Sequence, residues 1–159
     1  KMVAITMMSN ALGTEVPVAE VIKIAHAHGI PVLVDASQAA CHGKIDVQAL
    51  DADFLVFTGH KTYGPTGIGV LYGKAKHLKI MPPYQGGGEM IAEVTLDKIT
   101  YNDPPHRYEA GTPAIVEAIG LGAALDYMTA IGIANIAAHE TALHDYAMDR
   151  LTKINQPKI

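Results

Sequence analysis

Cysteine is nearly absent from this sequence: Cys41 stands alone. One thiol excludes an internal disulfide framework and suits a reducing compartment, so the cytoplasm is the expected location. Basic charge is also short, with 12 Lys and Arg against 16 Asp and Glu and a formal charge of −4. There is no cationic field for nucleic acid or an anionic membrane surface, and the aromatic residues are not interleaved with arginines. No apolar run approaches the length of a spanning helix, and no basic segment leads into an apolar one as in a secretion signal. Repeats and low-complexity tracts are missing. Metal-ligand spacing is missing too: Cys41 and His42 are adjacent, Asp35 and His60 have other uses, and no metal is expected. These absences leave a globular domain that acts on a small molecule.

With 159 residues, 49% of them hydrophobic, the chain can bury the core of one domain. Its mixture of strand-like and helix-like segments predicts an α/β fold. It opens at Lys1 directly into a strand, Met2 to Met8, so residues 1–159 read as a partial domain of a longer protein. Ser9 and Asn10 end that strand and Gly13 breaks the run. A helix is expected next, with Thr14 as N-cap, Pro17 in the first turn, Val18, Val21, Ile22 and Ala25 on the buried face, and Gly29 at its end. Ile30 to Asp35 is the second strand, and the β-α-β order predicts parallel pairing through a right-handed crossover. A short helical piece lies between Ala36 and Ala52, and Phe54 to Phe57 is the third strand. Gly67 to Tyr72 reads as an antiparallel strand closed by Gly73, because its link to the third is short. His77 to Gly88 reads as a loop, its run of three glycines suited to close backbone approach or positive φ. Beyond Pro104-Pro105 and Gly111-Thr112-Pro113, a helix runs from Ala114 to about Ala130, with Gly120 and Gly122 for tight packing. Gly132 separates it from a last amphipathic helix to about Lys153, whose buried side is Ile136, Leu143, Ala147 and Leu151.

In open parallel sheets, ligands bind beyond the carboxyl ends of the strands. Three such ends carry polar residues here: Ser9-Asn10, Asp35 to Gln38, and Thr58-Gly59-His60-Lys61. The last is the centre of the sequence. A lysine just past a buried strand, beside apolar walls, loses hydration of its ammonium form, and its pKa is expected to fall toward the range where the neutral amine attacks a carbonyl. Such a lysine carries an aldehyde as a Schiff base; the alternative is an ordinary surface lysine. A phosphate loop is rejected, because His60 and not glycine precedes Lys61 and a strand lies upstream. A Schiff-base lysine needs an electron sink, and pyridoxal phosphate in turn needs an anionic partner for its ring nitrogen. Asp35 fits that role; its other reading is a helix cap. Gln38 can donate to the ring phenolate, and Thr58 and His60 lie where phosphate ligands are useful. The histidines His26, His28, His77, His139 and His144 are expected on solvated helix faces or in loops.

Four ordered motifs carry a resemblance over essentially the whole chain: Val34-Asp35-Ala-Ser-Gln38-Ala, Asp53 through Lys61 to Gly69, Gly86-Gly-Gly-Glu-Met-Ile91 and Arg107-Tyr-Glu-Ala-Gly-Thr-Pro113. The chain resembles the class V aminotransferase family of fold type I, and within it the cysteine desulfurases of the SUF and CSD type. The resemblance implies the central part of a pyridoxal phosphate transferase large domain, a mostly parallel sheet with flanking helices. It implies that Lys61 binds the cofactor covalently and shuttles the α-proton, that Asp35 pairs with the pyridine nitrogen and Gln38 with the phenolate oxygen. Asn10 matches the asparagine near cofactor and substrate carboxylate, Thr58 and His60 the phosphate-binding pair, and Thr112 the threonine that reaches the phosphate across a dimer interface. Thr58 replaces the usual serine and keeps the hydroxyl.

The implied reaction is L-cysteine to L-alanine with an enzyme persulfide, for iron–sulfur cluster assembly, in a cytoplasmic homodimer that passes sulfur to an acceptor protein. The alternatives are another class V enzyme (a selenocysteine lyase, an aminotransferase or a kynureninase-like hydrolase) and a fragment without catalytic competence. Relative to the family, the ring-stacking residue, a hydroxyl near the phosphate, the sulfur-accepting cysteine and the arginine for the substrate carboxylate are expected outside this chain. Alone it is expected to be inactive. Cys41 does not match the acceptor position and reads as a small packed residue.

Overall fold

The computed structural model describes residues 1–154; the last five residues of the expected 1–159 domain lie outside the described residues. Four strands form one sheet in the order β1 (Val3–Thr6), β2 (Val32–Asp35), β3 (Phe54–Thr58) and β4 (Gly69–Gly73). The first three pair in parallel and β4 is antiparallel to β3. The α/β expectation and the antiparallel fourth strand both hold. β1 and β2 are shorter than expected, and Met8 forms only an isolated bridge to Glu15.

Helix α1 (Val18–Ala27) crosses between β1 and β2 and sets Val18, Ile22 and Ala25 against Val32, Val34 and Leu55. Residues on one strand alternate between faces. By the register Val34 and Leu55 share the face that α1 covers, while Asp35 and Val56 share the other. Thr14 does not cap α1. Its carbonyl accepts from Ser9, and Val16 pairs with Met7 at 3.0 Å, so the chain is still extended at Val16. Pro17 is the capping residue, and its carbonyl accepts from Glu20 and Val21.

Helix α2 (Val47–Leu50) is capped by Asp46, whose carboxylate accepts from Gln48 and Ala49. Helix α3 (Ala75–Leu78) was not foreseen, and it takes in the first two residues of the loop expected from His77 to Gly88. A hairpin of β5 (Ile91–Val94) and β6 (Ile99–Tyr101) was not foreseen. Helices α4 (Ile115–Ile131) and α5 (Ile133–Leu151) are separated by Gly132 at φ 88°, as expected. A Cβ on Gly120 would meet Pro65 at 3.2 Å, whereas Gly122 faces open space and is no packing glycine.

The buried side expected of α5 reduces to Ile136. Leu143 and Leu151 are 53% and 58% exposed and Ala147 is exposed, because among the described residues no other element lies over that half of the helix. His26 and His77 also depart from expectation. Both donate toward the carboxylate of Asp53, which is 1% exposed, at 2.7 and 2.8 Å. Among the described residues no single helix is long and apolar enough to cross a membrane.

Candidate active site

The parallel ladder brings the three strand ends to one edge. Thr6 is opposite Asp35, and Asp35 opposite Val56. Backbone bonds extend the ladder past the strands, Met7 to Asp35 at 2.8 Å and Ala36 to Val56 at 2.9 Å. Asn10 lies at the tip of the loop after β1, where Ser9 Oγ accepts from the amides of Ala11 and Leu12. It is exposed. Asp35 is half-buried and uses Oδ1 to accept from Ser37 at 2.9 Å, the local turn that an aspartate at a strand end makes. Gln38 is half-buried at the head of the 3-10 turn Ala39–Cys41.

The strand β3 ends at Thr58, and a 3-10 turn, Gly59–Lys61, follows at once. Gly59 is required there. A Cβ would sit 2.9 Å from both Ile68 Cγ2 and the Pro65 carbonyl oxygen, because the chain folds back over the turn. The Gly59 amide donates to Ile68 at 2.9 Å, and its carbonyl accepts from the amides of Thr62 and Gly64. Lys61 closes the turn and is half-buried. Thr58 Oγ1 and His60 Nδ1 share a hydrogen bond of 3.0 Å. Thus the turn gathers Thr58, His60 and Lys61, and the sheet sets Asp35 on the adjacent strand.

Thr112 is not part of this cluster. It is exposed, next to Gly111, whose amide donates to Gly88 at 3.0 Å. A Cβ on Gly87 would meet the Gly111 nitrogen at 3.0 Å, so Gly87 serves close approach to the Ala110–Gly111 backbone, whereas Gly86 and Gly88 face open space. Arg107 and Tyr108 anchor this segment by donating to the carbonyls of Lys79 and of Leu78.

Two buried polar residues near or opposite the site escaped sequence reading. Thr62, 1% exposed, has no signal beyond its place next to Lys61. Asp53 does: a carboxylate opening an apolar strand must find partners. Burial works to raise its pKa, yet hydrogen bonds from His26, His77 and the Val32 amide, with the Lys74 charge, hold it well below the usual carboxylate range. This knot lies at the amino end of β3, away from Lys61. Cys41 is buried, and burial and nearby Glu140 push its thiol pKa up, as befits a packed residue. No cluster of metal ligands occurs among the described residues.

The family model for class V aminotransferases matches residues 1–159. The cysteine desulfurase of Dickeya dadantii is 56% identical over 155 residues, 97% of this chain and 38% of that protein. The crystal structure of the cysteine desulfurase CsdA from Escherichia coli superposes with a TM-score of 0.93 at 44% identity, covering 97% of this chain and 39% of that one. The cystine C-S lyase C-DES, in a mutant form with glycine covalently linked to its pyridoxal phosphate cofactor, matches at a TM-score of 0.74 and 29% identity, over 83% of this chain and 36% of its own. The chain therefore spans well under half the length of these relatives.

Proposed function

Since the chain belongs to the class V aminotransferase family, we propose that it is the cofactor-binding core of a pyridoxal phosphate-dependent cysteine desulfurase. The reaction breaks the C–S bond of L-cysteine to give L-alanine, and sulfur leaves as a persulfide on a cysteine thiol. The observation that supports this reading is the shared sheet edge: Asp35 ends the strand paired with β3, and the end of β3 leads into the turn that bears Lys61. The names of the relatives, desulfurases at 56% and 44% identity, support the substrate.

The donor set fits the group. An amine, a carboxylate with Oδ2 free of the Ser37 bond, and a hydroxyl–imidazole pair lie on consecutive strand ends. When bound, pyridoxal phosphate supplies an aldehyde for a covalent link to lysine and a ring that draws electrons from the substrate α-carbon. Lys61 Nζ would hold the cofactor and serve as the base for the α-proton. Asp35 keeps a proton on the ring nitrogen by charge-assisted hydrogen bonding. Gln38 donates to the phenolate oxygen, and Asn10 orients cofactor and substrate carboxylate. With Nδ1 tied to Thr58, His60 presents Nε2 to a phosphate oxygen. Thr112 reaches the phosphate of a second copy, so the working unit is a homodimer. Residues 1–159 form part of one large domain, and an acceptor protein takes the sulfur for iron–sulfur cluster assembly in the cytoplasm.

The test is direct. The purified chain with added pyridoxal phosphate is expected to gain a visible absorbance band, and borohydride reduction to fix the cofactor on Lys61, located by mass spectrometry. Lys61→Ala is expected to lose both. A label scattered evenly over surface lysines would overturn the assignment.

A further inference from the structure

We propose that Thr62 is a positioning residue for Lys61: its buried hydroxyl, bonded to the carbonyls of Thr58 and Gly59, fixes the turn that presents the Lys61 amine. This inference rests on the reading of Lys61 as the cofactor lysine. Thr62 Oγ1 lies 3.0 Å from the Gly59 oxygen and 3.3 Å from the Thr58 oxygen. Both carbonyls precede Lys61, so the side chain reaches back across the lysine to the end of β3. The hydroxyl has one proton, and it is shared between the two acceptors.

Three features make this bond a constraint on the lysine. First, a single 3-10 turn is weakly held, with poorer hydrogen-bond geometry than an α-helix. Here the Gly59 carbonyl accepts from the amides of Thr62 at 2.9 Å and Gly64 at 3.0 Å, and the hydroxyl adds a third tie to the same oxygen. Second, the surroundings are mostly apolar, with Lys44 and Thr129 the other polar side chains of the cleft. Thr62 lines a cleft of about 550 Å³ together with Leu55, Phe57, Leu125 and Met128. Valine has nearly the same shape and would be buried there at lower cost, since a buried hydroxyl is unfavourable unless bonded. Third, the chain is braced beyond Thr62 as well. Tyr63 adopts φ 59°, costly for a non-glycine residue, and its ring packs edge-on against Tyr127. Lys61 thus lies between the Thr58–His60 bond on one side and the Thr62 anchor on the other.

The experiment compares Thr62→Val, which keeps the shape and loses the bond, with Thr62→Ser, which keeps the bond. Each folded variant is exposed to pyridoxal phosphate and reduced with borohydride. The initial labelling rate of Lys61 is divided by that of exposed Lys98 on the β5–β6 hairpin, which cancels reagent effects. Thr62→Val is expected to lower this ratio about fivefold, the effect of one neutral hydrogen bond, and Thr62→Ser to stay near the parent. A Thr62→Val ratio equal to the parent's, with only the melting temperature lowered, would show a merely structural role and overturn the proposal. If Thr62→Val fails to fold, Thr62→Ala against Thr62→Ser isolates the hydroxyl, and equal ratios in that pair overturn it likewise. A parent ratio near one would overturn the cofactor reading of Lys61 before any variant is made, and this inference with it.

Discussion

Asp35 ends its strand with one carboxylate oxygen bonded locally. Oδ1 holds the Ser37 amide, and Oδ2 is the oxygen we propose meets the cofactor. Asp35→Asn keeps an acceptor for Ser37 and removes only the charge. It is expected to leave the circular dichroism spectrum unchanged and to raise the dissociation constant for pyridoxal phosphate about tenfold, the scale of one charge-assisted hydrogen bond. Spectrophotometric titration measures this, and an unchanged constant would remove Asp35 from the site. Lys61, Thr58 and His60 were legible as a group because glycines and a proline stop β3 and leave polar residues at its end. Thr62 was not, since nothing in a sequence tells whether a threonine after the lysine is buried. Thr112, expected to reach the phosphate of a second copy, is exposed on the loop joined to Gly88.

The elements divide by how much of their neighbourhood is local. The strands and α1 were readable because short apolar runs bounded by glycine, proline and polar residues have few other conformations. The hairpin β5–β6 was not, since its residues are mostly exposed and lack a clean alternation. Helix α5 shows the limit of periodicity, because its apolar spacing continues past the point where any of the described residues packs on it. Ile136, 7% exposed, is packed with Cys41 and Met128. Ile136→Ala is expected to cost about 3 kcal/mol in urea unfolding. Leu143→Ala, at 53% exposure, is expected to stay within about 0.5 kcal/mol. Equal costs would mean that the far half of α5 is covered in solution.

For the whole molecule, Asp53 joins parts distant in sequence. It binds His26 at the end of α1, the Val32 amide at the start of β2, His77 in α3 and, at 3.3 Å, Lys74. His26 also reaches Asp51 at 3.3 Å, and Lys76 approaches Asp53 at 3.7 Å. Because the folded state holds the Asp53 pKa below its ordinary value, the unfolded chain binds the proton more readily. Stability from this group is therefore complete above the ordinary pKa, about 4, and is lost as pH falls toward the folded value. Asp53→Asn is expected to cost about 3 kcal/mol at neutral pH and to flatten the fall in stability below about pH 4. Urea unfolding across that range checks both, and parallel curves for variant and parent would contradict the role.

The sequence by itself determined the α/β alternation, the parallel pairing implied by β-α-β order, and the residues at the strand ends, because these depend on interactions between near neighbours. It also settled that Lys61 follows a buried strand and that Asp35 ends another. Only the tertiary structure decided which side chains are enclosed. Burial depends on what the rest of the chain lays over a residue, and that turned two expected surface histidines into partners of a buried aspartate. It likewise exposed half of an amphipathic helix and hid the Thr62 hydroxyl beneath the lysine turn.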